Sequence, residues 1–216
     1  RRLLRRSSQA DPQKQAVLAV GPGMGRGEAI NRRVHALLQQ PRRIVLDADG
    51  LNALAASGKP RPLAGENSPP LVMTPHPGEF ARLCEPLGIE VRCEGDEERL
   101  QAAGQLAQVH RAIVVLKGHR TVVTDGSRGY INTTGNPALA TAGSGDVLTG
   151  LIAGLLAQGM SPFEATVLGV YLHGLAGDLW ANQFGPVGLT ATGLLDLLPK
   201  TLACHQGRIE RTPPGS

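Results

Sequence analysis

The sequence predicts an α/β fold: a three-layer sandwich with a mainly parallel sheet and helices on both faces. Three observations predict it. Short apolar runs, AVLAV at 16–20, RIVL at 43–46 and AIVVL at 112–116, lack polar alternation, as expected of strands buried on both faces. Segments with helical spacing stand between them, and alternating strands and helices imply crossover connections. Aromatic residues are 3% of a chain that is 41% hydrophobic, so the core must be aliphatic.

Residues 1–15 read as a basic, polar linker, residues 16–205 as one domain and residues 206–216 as a tail. Ala16–Val20 is a strand that ends at glycine, and residues 21–27 form a loop. Glu28–Gln40 carries Ile30, Val34, Leu37 and Leu38 at helical spacing. Arg42–Asp49, with the motif RIVLDAD beginning at Arg43, is a second strand ending in acids, followed by a short helix at 51–56 and a proline-rich loop at 59–70. Leu71–Thr74 is a third strand, and Pro75–Glu79 opens the next helix. Asp96–His110 places Leu100, Ala103, Leu106 and Ala107 on one face. Ala112–Leu116 is a β-branched strand. Thr121–Thr124 and Tyr130–Asn132 form a hairpin across Asp125–Gly129. Helices at 144–158, 162–182 and 190–203 close the chain.

With 216 residues the chain is long enough for one domain with a sizeable core. Its net charge is +4, and Arg1, Arg2, Arg5 and Arg6 alone supply that excess. No aromatic residues interleave with them, so a stacking platform for nucleic acid is not expected. The cysteines are 3 in number, Cys84, Cys93 and Cys204, and form no CxxC. Neither a disulfide framework nor a zinc site is expected, which fits a reducing cytoplasm. The most apolar stretch, Val147–Ala157, is too short and too glycine-broken to span a bilayer, so no membrane partner is expected.

The sharpest motif is NPALATAGSGDVLTG at 136–150. Gly143, Ser144 and Gly145 sit just before an apolar helix, whose first N–H groups lack partners and whose dipole is positive there. Glycines let a phosphate approach those groups. Asp146 stands beside that cradle, where a carboxylate could accept the proton of a hydroxyl attacking phosphorus. A plain first-turn helix acid would occupy the same position. GPGMG at 21–25 follows a strand and could take a phosphate or let a substrate approach the backbone. It is neither a Walker loop nor a Rossmann fingerprint. Asp47 and Asp49 end a strand at the edge where open sheets place ligands. Asp49 is expected to cap the following helix. Asp47 could hold a ribose, order magnesium-bound water or only shape the turn. Asn52 could orient a substrate or satisfy a local group. Lys117 in KGHRT follows a buried strand and can reach a nucleotide phosphate. Asn132 and Asn136 read as turn formers, and His173 and Asp178, five residues apart on a late helix, as structural.

The GSGD helix resembles the anion-hole segment of the ribokinase-like superfamily. The string GNPALATAGSGDVLTGLIAGLLAQG resembles the ADP-dependent NAD(P)H-hydrate dehydratase family, with GPGMG at 21–25, VLDADGLNAL at 45–54, TPHPGEFARL at 74–83 and VVLKGHRTVVTDG at 114–126 in matching order. The resemblance covers residues 16–200. It implies a ribokinase-like sandwich and repair of hydrated NADH and NADPH, with ADP or ATP as co-substrate and Mg²⁺ as cofactor. It implies Asp146 as the catalytic base and Gly143, Ser144 and Gly145 as the anion hole. Lys117, Gly118, His119, Arg120, Thr121 and Gly145 would bind the nucleotide. Gly23, Gly25, His76 and Asp146 would bind the hydrated dinucleotide, with His76 projecting from a loop fixed by Pro75 and Pro77. No protein cluster dedicated to a metal is implied. A homo-oligomer, a tetramer in relatives, is expected. Ala142 departs from the pattern, standing where the family carries the first of two glycines. Amino-terminal strands and a glycine-rich stretch ahead of GPGMG are expected to be missing. Two other readings remain open: a small-molecule kinase of the same fold, for a vitamin precursor or sugar, and a non-catalytic nucleotide-binding module.

Overall fold

The structure, a computed structural model, describes residues 16–62, 68–91 and 95–205. The readings made for residues 1–15, Cys93, residues 63–67 and the 206–216 tail lie outside the described residues. The elements are β1 (Val17–Val20), α1 (Glu28–Leu38), β2 (Arg43–Leu46), α2 (Ala48–Ala55), β3 (Leu71–Met73), α3 (Pro77–Cys84) and α4 (Asp96–His110). They continue with β4 (Ala112–Leu116), β5 (Val122–Thr124), β6 (Gly129–Ile131), α5 (Ser144–Ala157), α6 (Pro162–Phe184) and α7 (Ala191–His205).

The strands lie side by side in chain order, β1 to β6. The first four are parallel, and β5 and β6 add an antiparallel meander. Alternation along each strand divides the core. Ile44, Leu46, Leu71, Met73, Val114 and Leu116 face α1–α4, where Val34, Leu54, Phe80 and Leu106 cover them. Val45, Val72, Ile113 and Val115 face α5 and α6, against Leu148, Ile152 and Val170. Both faces of β2, β3 and β4 are covered, which is why they read as apolar runs. By contrast β1, also read as a buried strand, lies at the sheet edge only partly buried, with Ala19 exposed. A smaller cluster around Ala176, Leu194 and Leu197 fastens α7 to α5 and α6. No helix among the described residues is long and apolar enough to cross a membrane.

The register brings the carboxyl ends of the parallel strands nearly level, with Val20 beside Leu46 and Leu46 beside Met73. The ladder then runs past the strand ends. The Asp47 N–H donates to the Val20 carbonyl at 3.0 Å, Thr74 N–H to Leu46 at 3.1 Å and Lys117 N–H to Pro75 at 2.9 Å. Residues far apart in sequence are thereby fixed along one edge.

The first βα turn needs glycine for reasons of space. Gly21 has φ 125, and a Cβ there would lie 1.7 Å from the Asp47 carbonyl oxygen. Gly21→Ala is therefore expected to cost roughly 3 kcal/mol or more, from backbone strain and overpacking together. Gly154→Ala on α5, where a Cβ meets nothing within 4 Å, should be neutral or stabilising. Thermal melts of the two variants check this; equal melting temperatures would contradict the packing described.

Candidate active site

Four segments meet at the carboxyl edge of the parallel strands: the Gly21–Gly25 turn, Asp47, His76 and Lys117. The amino terminus of α5 packs beside them. Gly143 takes φ 82 at its N-cap, and no side chain caps the helix. The Ser144 N–H donates to the Thr141 carbonyl at 3.3 Å, which leaves the Gly145 and Asp146 N–H groups and the positive end of the dipole available to an anion.

Gly145 brings that terminus close to two opposite charges. A Cβ at Gly145 would lie 3.3 Å from Lys117 Nζ and 3.6 Å from Asp47 Oδ2. Lys117 Nζ donates to Asp47 Oδ1 at 3.0 Å, and the Thr149 hydroxyl donates to Asp47 Oδ2 at 2.9 Å. The Asp47 side chain is only 2% exposed and the Lys117 side chain 22%. The ion pair holds Lys117 at the mouth of the helix while leaving its remaining donors free for a phosphate. Asp47, whose role the sequence left open, is thus the internal partner of Lys117. Thr149, which the sequence did not single out, lies one turn after Gly145 on the same helix, and that spacing was the available signal.

Lys117, Gly118, His119, Arg120 and Thr121 together form one wall of a cavity of about 580 Å³. Ser144 and Gly145 close its inner end. The opposite wall is the segment 132–141, which contains a 3₁₀ turn, Pro137–Leu139, capped by the Asn136 side chain. Asn132 donates to the Thr134 carbonyl at 2.9 Å, consistent with its reading as a turn former. This wall is seated on α6. A Cβ at Gly174 would lie 2.2 Å from Thr134 Oγ1. Asp178 accepts from the Gly135 N–H and from Asn136 Nδ2, each at 2.9 Å. His173 Nε2 donates to the Ser144 carbonyl at 3.0 Å and lies 3.2 Å from its hydroxyl. Both α6 residues, read from sequence as structural, therefore shape the cavity: Asp178 holds the outer wall, and His173 supports the anion loop.

His76 lines the same cavity, but its imidazole does not project freely. Nδ1 accepts from the Gly78 and Glu79 N–H groups at 3.0 and 3.3 Å, and Glu79 accepts from the His76 N–H at 2.9 Å. The ring caps α3 in a reciprocal capping box, because the two prolines direct the chain into the helix rather than away from it. Asp49 also differs from expectation. Asp47 holds the N-cap position of α2, and α2 starts at Ala48 rather than 51. Asp49 instead accepts from the Gly25 N–H at 2.9 Å and pairs with Arg26, fastening the GPGMG turn. Asn52 accepts from Arg82 Nε at 3.0 Å.

Asp146 stands apart from the cavity. It lies on the other face of α5, exposed, in a groove of about 700 Å³ with Gly143, Val147, Gly150 and residues of α7. Gly23 and Gly25 border neither space, and a Cβ at either would meet nothing within 4 Å. The structure thus gathers the nucleotide set around one cavity and separates the dinucleotide set: His76 in the cavity, Asp146 in the groove, the two glycines at the strand edge. The Gly143–Gly145 segment lies between cavity and groove.

Burial gives the fold a pH dependence. His173 is held down to about 4, by desolvation and then by Lys117. His110 is likewise lowered to about 4, by desolvation and then by Arg61. Their unfolded values lie near 6.5. Below that pH the unfolded chain binds more protons than the folded one, so stability falls as pH drops from about 6.5 toward 4. Between about pH 6.5 and 5, before most carboxylates titrate, each histidine contributes roughly 2 kcal/mol of loss. Denaturant midpoints across that window should fall, and His173→Gln should roughly halve the slope. A flat profile would contradict the assignment.

The sequence model of NAD(P)H-hydrate dehydratase matches residues 3–200. The bifunctional NAD(P)H-hydrate repair enzyme Nnr of Moorella thermoacetica is 47% identical over 211 residues, covering 96% of this chain and 37% of that protein. The ADP-dependent (S)-NAD(P)H-hydrate dehydratase of Bacillus subtilis is 37% identical over 185 residues, covering 85% of this chain and 62% of that protein. The chain therefore spans about a third to two thirds of the relatives it matches. A crystal structure of the ADP/ATP-dependent NAD(P)H-hydrate dehydratase from Bacillus subtilis, co-crystallized with ATP/Mg²⁺, superposes with a TM-score of 0.74 at 36% identity. That superposition covers 87% of this chain and 64% of the other. Matched along nearly its whole length by that sequence model and by these relatives, the chain belongs to the NAD(P)H-hydrate dehydratase family.

Proposed function

We propose that this protein dehydrates hydrated NADH and NADPH at the expense of ADP or ATP. The observation that carries the reading is the uncapped amino terminus of α5, placed between a cavity framed by Lys117–Thr121 and a groove that holds Asp146. A phosphoryl donor in the cavity and a hydroxyl acceptor on the Asp146 side would meet at Gly143–Gly145. The names of the relatives supply the substrate class.

Asp146 accepts the proton of the hydroxyl on C6 of the hydrated ring as that oxygen bonds to the terminal phosphorus. The nucleotide leaves as AMP from ADP, or as ADP from ATP. The N–H groups of the Gly143–Gly145 loop stabilise the charge on the transferring phosphoryl. Lys117, steadied by Asp47, adds a positive charge on the cavity side. The ring nitrogen then expels phosphate by breaking the C6–O bond, and loss of a proton from the adjacent carbon restores the dihydropyridine.

Among the described residues no group of three or more His, Cys, Asp and Glu could hold a metal alone. Mg²⁺ would arrive on the nucleotide phosphates, as an ion that uses one or two carboxylates and several waters. Asp47, the carboxylate nearest Gly145, is already paired with Lys117 and Thr149 and would act on such an ion through Lys117 and the loop, while the bound ion would neutralise phosphate charge. By family resemblance the working form is a homo-oligomer, a tetramer, acting in the cytoplasm.

A product assay tests the reading. Hydrated NADH, Mg²⁺ and either nucleotide should yield reduced dinucleotide and inorganic phosphate in equal amounts. A stable phosphorylated product would instead identify a kinase, and binding without turnover a nucleotide-binding module.

A further inference from the structure

We propose that Arg99 is a positioning residue for nucleotide binding, setting the Lys117–Thr121 turn from outside the cavity. The inference rests on reading the 580 Å³ cavity as the nucleotide site. Arg99 belongs to α4, behind that wall, and its side chain is 14% exposed. Its Nη1 donates to the His119 carbonyl at 2.8 Å and to the Arg120 carbonyl at 3.1 Å. Nη2 lies 3.4 Å from the Leu116 carbonyl. One guanidinium thus gathers carbonyls from both ends of the turn. Asp96, one helical turn earlier, contacts Nη1 at 3.5 Å and accepts from Arg120 Nε, completing a clamp from α4.

The consequence follows from peptide geometry. A trans peptide directs its C=O and the next N–H oppositely, and the described chain has no cis bonds. With the His119 and Arg120 carbonyls drawn toward α4, the N–H groups of Arg120 and Thr121 turn the other way, toward the cavity those residues line. The conformation is not one the turn adopts freely. Arg120 has φ 52, in the left-handed region that non-glycine residues avoid. Gly118, at φ 147, lacks the Cβ that would stand 3.4 Å from Arg99 Nη2. The planar five-donor fork of arginine can hold three carbonyls together, and lysine cannot reproduce that arrangement.

Steady-state kinetics of Arg99→Met and Arg99→Lys test the proposal, with ADP and hydrated NADH varied separately. Arg99→Met should raise the nucleotide KM roughly tenfold or more, leaving the dinucleotide KM and the kcat at saturation nearly unchanged. Arg99→Lys should fall between it and wild type. A purely structural role would lower kcat, both affinities and the melting temperature together. That pattern, or a wild-type nucleotide KM in either folded variant, would overturn the proposal; if Arg99→Met does not fold, Arg99→Lys alone decides. Failure of the wild-type protein to bind ADP or ATP would instead overturn the reading of the cavity.

Discussion

Replacing Asp146 by asparagine is expected to reduce turnover by roughly 10²–10⁴-fold, the range for loss of a general base. Nucleotide binding should be nearly unaffected, because Asp146 faces the α5–α7 groove and not the cavity that Lys117–Thr121 frame. Stability should change little too. The residue is exposed, and asparagine is tolerated in a first helical turn apart from the lost charge–dipole term of about 0.3–1 kcal/mol. The effect would therefore fall on turnover and spare nucleotide affinity. Activity close to wild type in a folded variant would remove Asp146 from the chemistry. Parallel loss of ADP affinity would mean that donor and acceptor do not approach from opposite faces of α5.

Lys117→Met carries the second large effect, with two separable parts. Removing Nζ leaves Asp47, 2% exposed, with only the Thr149 hydroxyl, the strongly unfavourable outcome of breaking a buried pair. Because Lys117 is partly exposed, the lower end of that range applies, about 3 kcal/mol, or a fall in melting temperature of roughly 6–12 °C for a domain of this size. The variant should also bind ADP at least roughly tenfold more weakly, as expected on losing a charged hydrogen bond to phosphate. Adding Asp47→Asn should recover much of the stability, since the two residues share one interaction, but not the nucleotide affinity. Calorimetry with ADP beside thermal melts separates the parts. A double variant that regains ADP binding with its stability would show that Lys117 serves the fold alone.

The central strands were legible because they are buried on both faces. Val45 faces α5 and α6 while Ile44 and Leu46 face the other layer, and such a strand has no polar position to hide its identity. The helix start at GSGD was legible because its glycines and first-turn acid are contiguous. Contacts between distant residues were not. Lys117 and Asp47 lie 70 positions apart, and Thr149 and Asp47 lie 102 apart. Only the parallel register and the packing of α5 bring them together. Arg99 sits among the charges of α4, and nothing in the helical spacing marks that its guanidinium is turned inward onto the 116–120 backbone. His173 and Asp178 were judged by their spacing along α6. What gives Asp178 a role is the 132–141 segment laid across the helix at Gly174 and Gly177, and what gives His173 one is the start of α5 at Ser144. Asp47 and Asp49 are both capping residue types, so which of them occupied the N-cap depended on where the Gly25 N–H would be.

The central claim is that the ring hydroxyl is phosphorylated at the anion loop and leaves as phosphate. The most direct measurement follows that oxygen. Hydrated NADH carrying a heavy-oxygen label in its C6 hydroxyl would be turned over with ADP in ordinary water, and the released inorganic phosphate analysed by mass spectrometry. The account predicts one labelled oxygen in each phosphate released, since the C6–O bond breaks after the O–P bond forms. Unlabelled phosphate, with the label recovered in water, would show that nucleotide hydrolysis and dehydration are separate events, and would contradict it.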